Sequence, residues 1–232
     1  MKKKIIVIVQ ARLTSRRFPR KVIQKIGRLS IMQIIFERLK QAKLVDEIVF
    51  AIPSNRKNNI LNNHLKIMNA NIFRGSENNV LSRYFHCAKK YEATDIIRVT
   101  GDCPLIDPKI VDKLIRIYLK KKIHYLINCY PPKNADGFDV EIFSFNTLKV
   151  AKNNAVSKHD TEHVTTYIKR SKKFVKKYIL LVNNFSTHLS LDTKYDLIKL
   201  RRIFNYFKPN IFFGVDEVFK KNNYKKIFNK KK

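Results

Sequence analysis

Ile5-Ile-Val-Ile-Val-Gln-Ala-Arg-Leu-Thr-Ser-Arg-Arg-Phe-Pro-Arg-Lys21 joins a short apolar run to a loop dense in positive charge. Five β-branched residues without polar alternation predict a strand buried on both faces, as in a parallel sheet covered by helices. Ligands of open α/β sheets sit beyond the carboxyl ends of strands, so the loop from Gln10 to Lys21 is placed for a site. It carries five cations, two hydroxyls and a stiffening Pro19. Guanidinium groups grip phosphate oxygens in pairs while a lysine acts as a point charge, so such a loop suits a triphosphate. It lacks the glycines of a Walker A loop. By composition alone it reads equally well as a solvated basic loop. The basic start followed by an apolar run has the outline of a signal peptide. That run ends at Val9, however, with polar Gln10 and Arg12 next and no small-residue cleavage site.

Outward from this stretch, apolar runs alternate with helical patterns, which predicts an α/β layer fold. Ser30 precedes a helical pattern through Ile31, Ile34, Ile35, Leu39 and Ala42. A strand is predicted at Glu47–Ile52, a helix through Ile60, Leu61, Leu65 and Met68, and a strand at Asn71–Phe73. Val80, Leu81, Tyr84, Phe85 and Ala88 mark a helix, Asp95–Thr100 a strand, and Pro108 opens a helix to Lys120. Strands follow at Tyr125–Asn128 and Val140–Phe143, helical stretches near Ser144–Ala151 and Ser157–Arg170, strands at Phe174–Val182 and His188–Leu191, and a helix at Lys194–Phe207. Pro131 and Pro132 interrupt the pattern. The expectation is one domain over residues 1–232 with an arm inserted at about 129–170.

The chain of 232 residues has a net charge of +31. Thirty-five lysines outnumber fourteen arginines, and Asn, Ile and Lys are over-used together, as AT-rich coding would produce. The lysines are spread along the chain and aromatics are not interleaved with them, so no dedicated nucleic-acid function is expected. No apolar run approaches the roughly 20 residues that span a bilayer. Three cysteines, Cys87, Cys103 and Cys129, form no CxxC pair, which fits a reducing, cytoplasmic compartment.

Arg98-Val-Thr-Gly-Asp-Cys-Pro-Leu105 ends a strand in a Gly-Asp turn. A carboxylate there can ligate Mg²⁺, which takes one or two carboxylates and completes its shell with water and phosphate oxygens. A turn residue is the plainer reading of Asp102. Asp192, in Leu189-Ser-Leu-Asp-Thr-Lys-Tyr-Asp-Leu197, is its expected partner; a helix N-cap is the plainer reading there, with Asp196 in the first turn. His159 and His163 lie four apart without a third ligand at suitable spacing.

Six motifs, in order from about residue 5 to 205, carry a resemblance. They are Gln10-Ala-Arg12 with Ser15, Arg17, Pro19 and Lys21; Arg74-Gly-Ser-Glu77 with Val80-Leu81 and Arg83-Tyr84; Arg98–Pro108; Asp136-Gly-Phe-Asp-Val-Glu141; Glu162-His-Val-Thr165; and Leu191-Asp-Thr193 with Asp196-Leu197. Together they resemble the cytidylyltransferases that activate KDO and acylneuraminates, and most closely the relatives named for spore-coat polysaccharide synthesis. The resemblance implies a three-layer α/β/α sandwich with a mostly parallel mixed sheet, of the glycosyltransferase-A type, with an inserted dimerisation arm and a homodimer. It implies transfer of CMP from CTP to a sugar with release of pyrophosphate and with Mg²⁺. Carried over by position, Arg12, Ser15, Arg17, Lys21, Arg74 and Arg98 bind nucleotide, and Asp102 and Asp192 hold the metal. Lys21 joins these two aspartates as catalytic. Asp136, Asp139, Glu141, Glu162 and His163 serve the sugar or the dimer arm.

Two positions depart from the family pattern. Arg20 stands where glycine is usual, and Arg16 where threonine is common. Glycine before Lys21 would permit a positive φ that arginine adopts only at a steric cost. Either the loop differs or Arg20 adds a phosphate contact. The competing readings are another nucleotide donor, whose enzymes tend to show a Gly-rich first loop, or a sugar-nucleotide-binding glycosyltransferase.

Overall fold

The first strand, β1 (Ile5–Gln10), buries alternate residues in two different cores. Ile5, Val7 and Val9 face one hydrophobic cluster, and Ile6 and Ile8 face the other. Both faces of the strand are therefore apolar, which is why it carries no period-two alternation. The computed structural model describes residues 3–128, 136–180 and 187–228.

After β1 come a small hairpin, β2 (Lys25–Ile26) and β3 (Leu29–Ser30), and helix α1 (Ile31–Leu39). Ser30 caps α1 in a capping box with Gln33. Then follow β4 (Glu47–Pro53), α2 (Asn59–Ile67), β5 (Asn71–Gly75), α3 (Val80–Lys90), β6 (Asp95–Thr100), α4 (Pro108–Lys120) and β7 (Tyr125–Ile127). The second half adds β8 (Glu141–Ser144), α5 (Phe145–Asn154), α6 (Lys158–His163), α7 (Thr166–Arg170), β9 (Lys176–Tyr178) and three helices, α8 (Lys194–Phe207), α9 (Val215–Phe219) and α10 (Lys221–Phe228).

Seven strands form one sheet in the order β5-β4-β1-β6-β8-β7-β9. Only β8 runs against its neighbours, with Arg98 of β6 opposite Glu141. Residues of α1, α2, α4 and α8 fill one face of the sheet, and residues of α3, α5 and α7 the other. The expected three-layer α/β/α sandwich with a mostly parallel mixed sheet is the observed fold.

Four details differ from the sequence reading. The stretch read as an arm at 129–170 places β8 in the middle of the sheet and packs α5 and α6 against α3; residues 129–135, with Cys129 and the two prolines, lie outside the described residues. Ser157–Arg170 is two helices, broken where Val164 takes φ 57°. His188–Leu191 forms no strand: Leu189 and Ser190 donate their amides to the Asp136 carboxylate and Leu191 donates to the Asp102 carbonyl. The strand expected at Phe174–Val182 is confined to Lys176–Tyr178, with 181–182 outside the described residues. Beyond Phe207, where the sequence reading stopped, Phe213, Val215, Val218 and Ile227 complete the first core.

Candidate active site

The site is assembled at the carboxyl ends of β1 and β6. Gly101 donates its amide to the Gln10 carbonyl at 2.8 Å. A Cβ at Gly101 would meet that oxygen at 2.9 Å and the Ala11 Cβ at 3.0 Å, so only glycine lets the two strand ends close here. The first loop is pinned from outside: Leu13 donates its amide to the Asn58 side chain, and the Glu77 carboxylate accepts from the Thr14 hydroxyl and the Asn55 amide. Arg20 closes the loop by donating its backbone N–H to the Leu13 carbonyl, at φ 59° and ψ 20°. Its side chain is exposed and does not line the cleft.

The turn at Arg20 aims Lys21 into the cleft. The Lys21 ammonium lies 2.8 Å from Asp102 Oδ2 and 3.0 Å from Asp192 Oδ1, and Arg17 Nη2 lies 2.8 Å from the same Asp192 oxygen. The two aspartates, 90 residues apart in sequence, thus share one cation. Their backbones are joined as well, since the Leu191 amide donates to the Asp102 carbonyl at 2.8 Å. Burial alone would raise the Asp102 carboxyl, but the charge and hydrogen bond of Lys21 outweigh it and hold the group below the usual carboxylate range. Thr193, not Asp192, caps α8, in a capping box with Asp196. The Asp192 carboxylate is therefore free of the cap: Oδ1 meets Lys21 and Arg17, and Oδ2 lies 3.5 Å from His188 Nε2.

Around these groups opens a cleft of about 720 Å³. Its walls include Arg12, Ser15, Arg16 and Arg17 from the first loop, Glu77 and Asn78 from the turn before α3, and Arg83 from the first turn of that helix. Lys158, Glu162 and His163 of α6 close the far side. Burial, then the charges of His159, Arg98 and Lys169, hold the His163 imidazole below its usual value, while Glu162 pulls the other way.

A cytidylyltransferase family model matches residues 6–228, nearly the whole described chain. The chain belongs to the cytidylyltransferase family. A solved cytidylyltransferase from Leptospira borgpetersenii is 31% identical to it, with a TM-score of 0.90 over 100% of this chain and 99% of that one. An uncharacterised protein of Methanocaldococcus jannaschii is 33% identical over 226 residues, 89% of this chain and 91% of that protein. The spore coat polysaccharide biosynthesis protein SpsF of Bacillus subtilis is 28% identical over 209 residues, 86% of each. The enzyme is accordingly a CTP-dependent nucleotidyltransferase.

Of the positions carried over from the family motifs, the enzyme brings Arg12, Ser15, Arg17, Lys21, Asp102, Glu162, His163 and Asp192 to one cleft. Five others lie elsewhere. Arg74 is spent on the carbonyls of Ser54 and Asn55 and on the Asn59 side chain, bracing the loop after β4. Arg98 pairs with Glu141 at 2.7 Å across the β6–β8 register, and Lys169 reaches the same carboxylate at 3.3 Å. Asp136 accepts from the amides of Leu189 and Ser190, the Ser190 hydroxyl and the His188 ring, and so anchors the segment leading to Asp192. Asp139 is half-buried near Cys103, whose thiol burial pushes up, with further contributions from Asp102, Asp139 and Asp136.

Arg98 instead lines a second basin of about 530 Å³ with His159, His163, Thr165, Thr166, Lys169 and Arg170. His163 belongs to both walls, so the basin adjoins the cleft. The sequence reading includes Arg83 in a family motif and assigns it no role in the site. Its signal was an arginine three residues after Val80 and four before Cys87, within the buried stripe of α3. No cluster of three or more His, Cys, Asp or Glu arranged for a metal occurs among the described residues, nor any helix long and apolar enough to cross a membrane.

Proposed function

We propose that the enzyme transfers CMP from CTP to an acidic sugar, such as a keto-acid precursor of a surface polysaccharide, and releases pyrophosphate. The observation that carries this reading is the convergence of Asp102 and Asp192 on the Lys21 ammonium inside a cation-lined cleft. A hydroxyl of the sugar attacks the α-phosphorus in line. The new P–O bond forms as the bond from the α-phosphorus to the α–β bridging oxygen breaks, its electrons leave with pyrophosphate, and the hydroxyl proton passes to water. Arg12, Ser15, Arg17 and Lys21 hold the triphosphate and neutralise charge gathering on the departing oxygens.

The donor set fits Mg²⁺. Two carboxylates meet at one point, and a hard cation with one or two carboxylates and phosphate oxygens is how Mg²⁺ is usually held. Asp102 and Asp192 would hold it, and when bound it supplies positive charge at the phosphate under attack.

The second basin is the acceptor side. Arg98, Lys169 and Arg170 face Glu141 and Asp160 there, leaving one positive charge in excess, which suits a sugar carboxylate. Glu162 and His163, at the junction, orient the attacking hydroxyl. The buried free thiols of Cys87 and Cys103 accord with a cytoplasmic enzyme, and family resemblance supports a homodimer, which light scattering at tens of micromolar would detect.

The test is pyrophosphate release with CTP, UTP, GTP and ATP, each against eight- and nine-carbon keto-acid sugars and neutral hexoses. Turnover with CTP and an acidic sugar is expected. Turnover with all four nucleotides, or with neutral sugars alone, would contradict it.

A further inference from the structure

We propose that Arg83 is an anion-binding residue of the cleft, its guanidinium meeting a phosphate of the donor nucleotide beside Arg12. This rests on the reading that the cleft takes a nucleoside triphosphate.

Arg83 is 3% exposed, yet it lines the cleft and makes no ion pair among the described residues. Its Nη1 donates to the carbonyl of Ser76 and more distantly, at 3.5 Å, to that of Glu77. Its Nε–H has no acceptor among the described residues. The Glu77 carboxylate, whose charge reaches it, is taken by Thr14 and Asn55. A buried charge without a counter-ion is costly unless something else compensates it.

Arg38 shows what a purely structural buried arginine looks like in this fold. It donates to the carbonyls of Leu105, Ile106, Ile211 and Phe213 and feels the charges of Asp107 and Glu217. Arg83 has neither that complement of acceptors nor an acidic partner free to meet it. It feels the repulsion of Arg12, which lines the same cleft, more than the pull of Glu77. Burial chiefly, with Arg12 adding, pushes its guanidinium down to about 10, so it stays charged at neutral pH.

Val80, the first residue of the eleven-residue α3, and Asn78 just before its cap line the cleft too, and helix amino ends favour negative charge. Two guanidinium groups and a helix start thus face one space with no carboxylate on Arg83. A phosphate entering there supplies the missing counter-charge.

Calorimetry with inorganic pyrophosphate, CTP and cytidine on the full chain tests this in Arg83→Met and Arg83→Lys. Arg83→Met is expected to weaken pyrophosphate and CTP at least tenfold and leave cytidine unchanged, with Arg83→Lys recovering part. Unchanged pyrophosphate binding, or an equal loss for cytidine and CTP, would overturn the proposal. If the unsubstituted chain binds neither CTP nor pyrophosphate, the triphosphate reading of the cleft fails first. Should both variants misfold, the Arg83 Nε–H resonance of the unsubstituted chain decides: pyrophosphate should shift it and slow its exchange, and an unmoved signal refutes the role.

Discussion

Arg20 holds φ at 59° to bring Lys21 to its two aspartates. A side chain in the left-handed region costs about 1–2 kcal/mol, which glycine escapes, though glycine also gains freedom in the unfolded chain. Arg20→Gly is therefore expected to raise stability by roughly 0.5–1 kcal/mol in urea unfolding, with pyrophosphate release unchanged because the side chain is exposed. A loss of turnover would mean that Arg20 does contact phosphate. The resemblance singles out this position, where the family usually has glycine, and leaves open a different loop or a phosphate contact; the chain keeps the positive φ and the Arg20 side chain stays out of the cleft. The roles of the charged side chains were less legible in the sequence. Thr193 and Asp192 are adjacent and both cap helices well, and which of them caps depends on Asp196 closing the box and on Lys21 arriving from far along the chain. Arg74 and Arg83 are both arginines near the amino end of α3. Burial and nearby acceptors, which no local pattern encodes, decide that one braces a loop and the other lines the cleft.

The segment from Thr187 to Asp192 depends on Asp136 rather than on a ladder. Losing an acceptor with several donors costs about 1–3 kcal/mol, so Asp136→Ala should destabilise by that amount and also lower turnover, because Asp192 loses its anchor. Asp136→Asn, which keeps the carbonyl acceptor, should recover part of both. Loss of stability without loss of turnover would show that the anchor does not position Asp192. Gly137 packs so closely that a Cβ would lie 2.7 Å from the Leu189 carbonyl carbon, at φ 93°. This segment read as a strand because Leu189 and Leu191 alternate with polar residues, and alternation does not reveal where the amides find acceptors. The break at Val164 was equally hidden: a β-branched residue gives no sign of a positive φ, and the hydrogen bond from Thr165 to the His163 carbonyl sets it.

Across the molecule, strands were legible where burial on both faces left a continuous apolar run, as at Ile5–Val9, and helices where apolar residues recurred at helical spacing, as at Ile31–Leu39. The place of β8 between β6 and β7 was not, because strand order is non-local. That placement buries the Arg98–Glu141 pair. Burial alone would raise Glu141, but Arg98 and Lys169 hold it below its ordinary 4.5, and Asp102 and Asp196 lie below their ordinary 3.8 against the same opposing burial. Each binds its proton less readily folded than unfolded. The stabilisation is complete above the ordinary carboxylate range and is lost as acid titrates the folded groups, so urea midpoints should fall steeply below pH 4. Glu141→Gln should flatten that dependence and cost about 3–5 kcal/mol at neutral pH by leaving Arg98 buried and unpaired. An unchanged acid slope would mean that Glu141 is not held ionised.

The central claim is that Asp102 and Asp192 act together in cytidylyl transfer, and pyrophosphate release by Asp102→Asn and Asp192→Asn, with CTP, Mg²⁺ and an accepted sugar, tests it most directly. Each substitution keeps the shape and removes one negative charge, and Thr193 keeps the cap on α8. Both variants should fold with near-parental circular dichroism and lose about 10²–10³-fold in turnover, the scale of removing one well-placed electrostatic partner. Near-parental turnover from both would contradict the account.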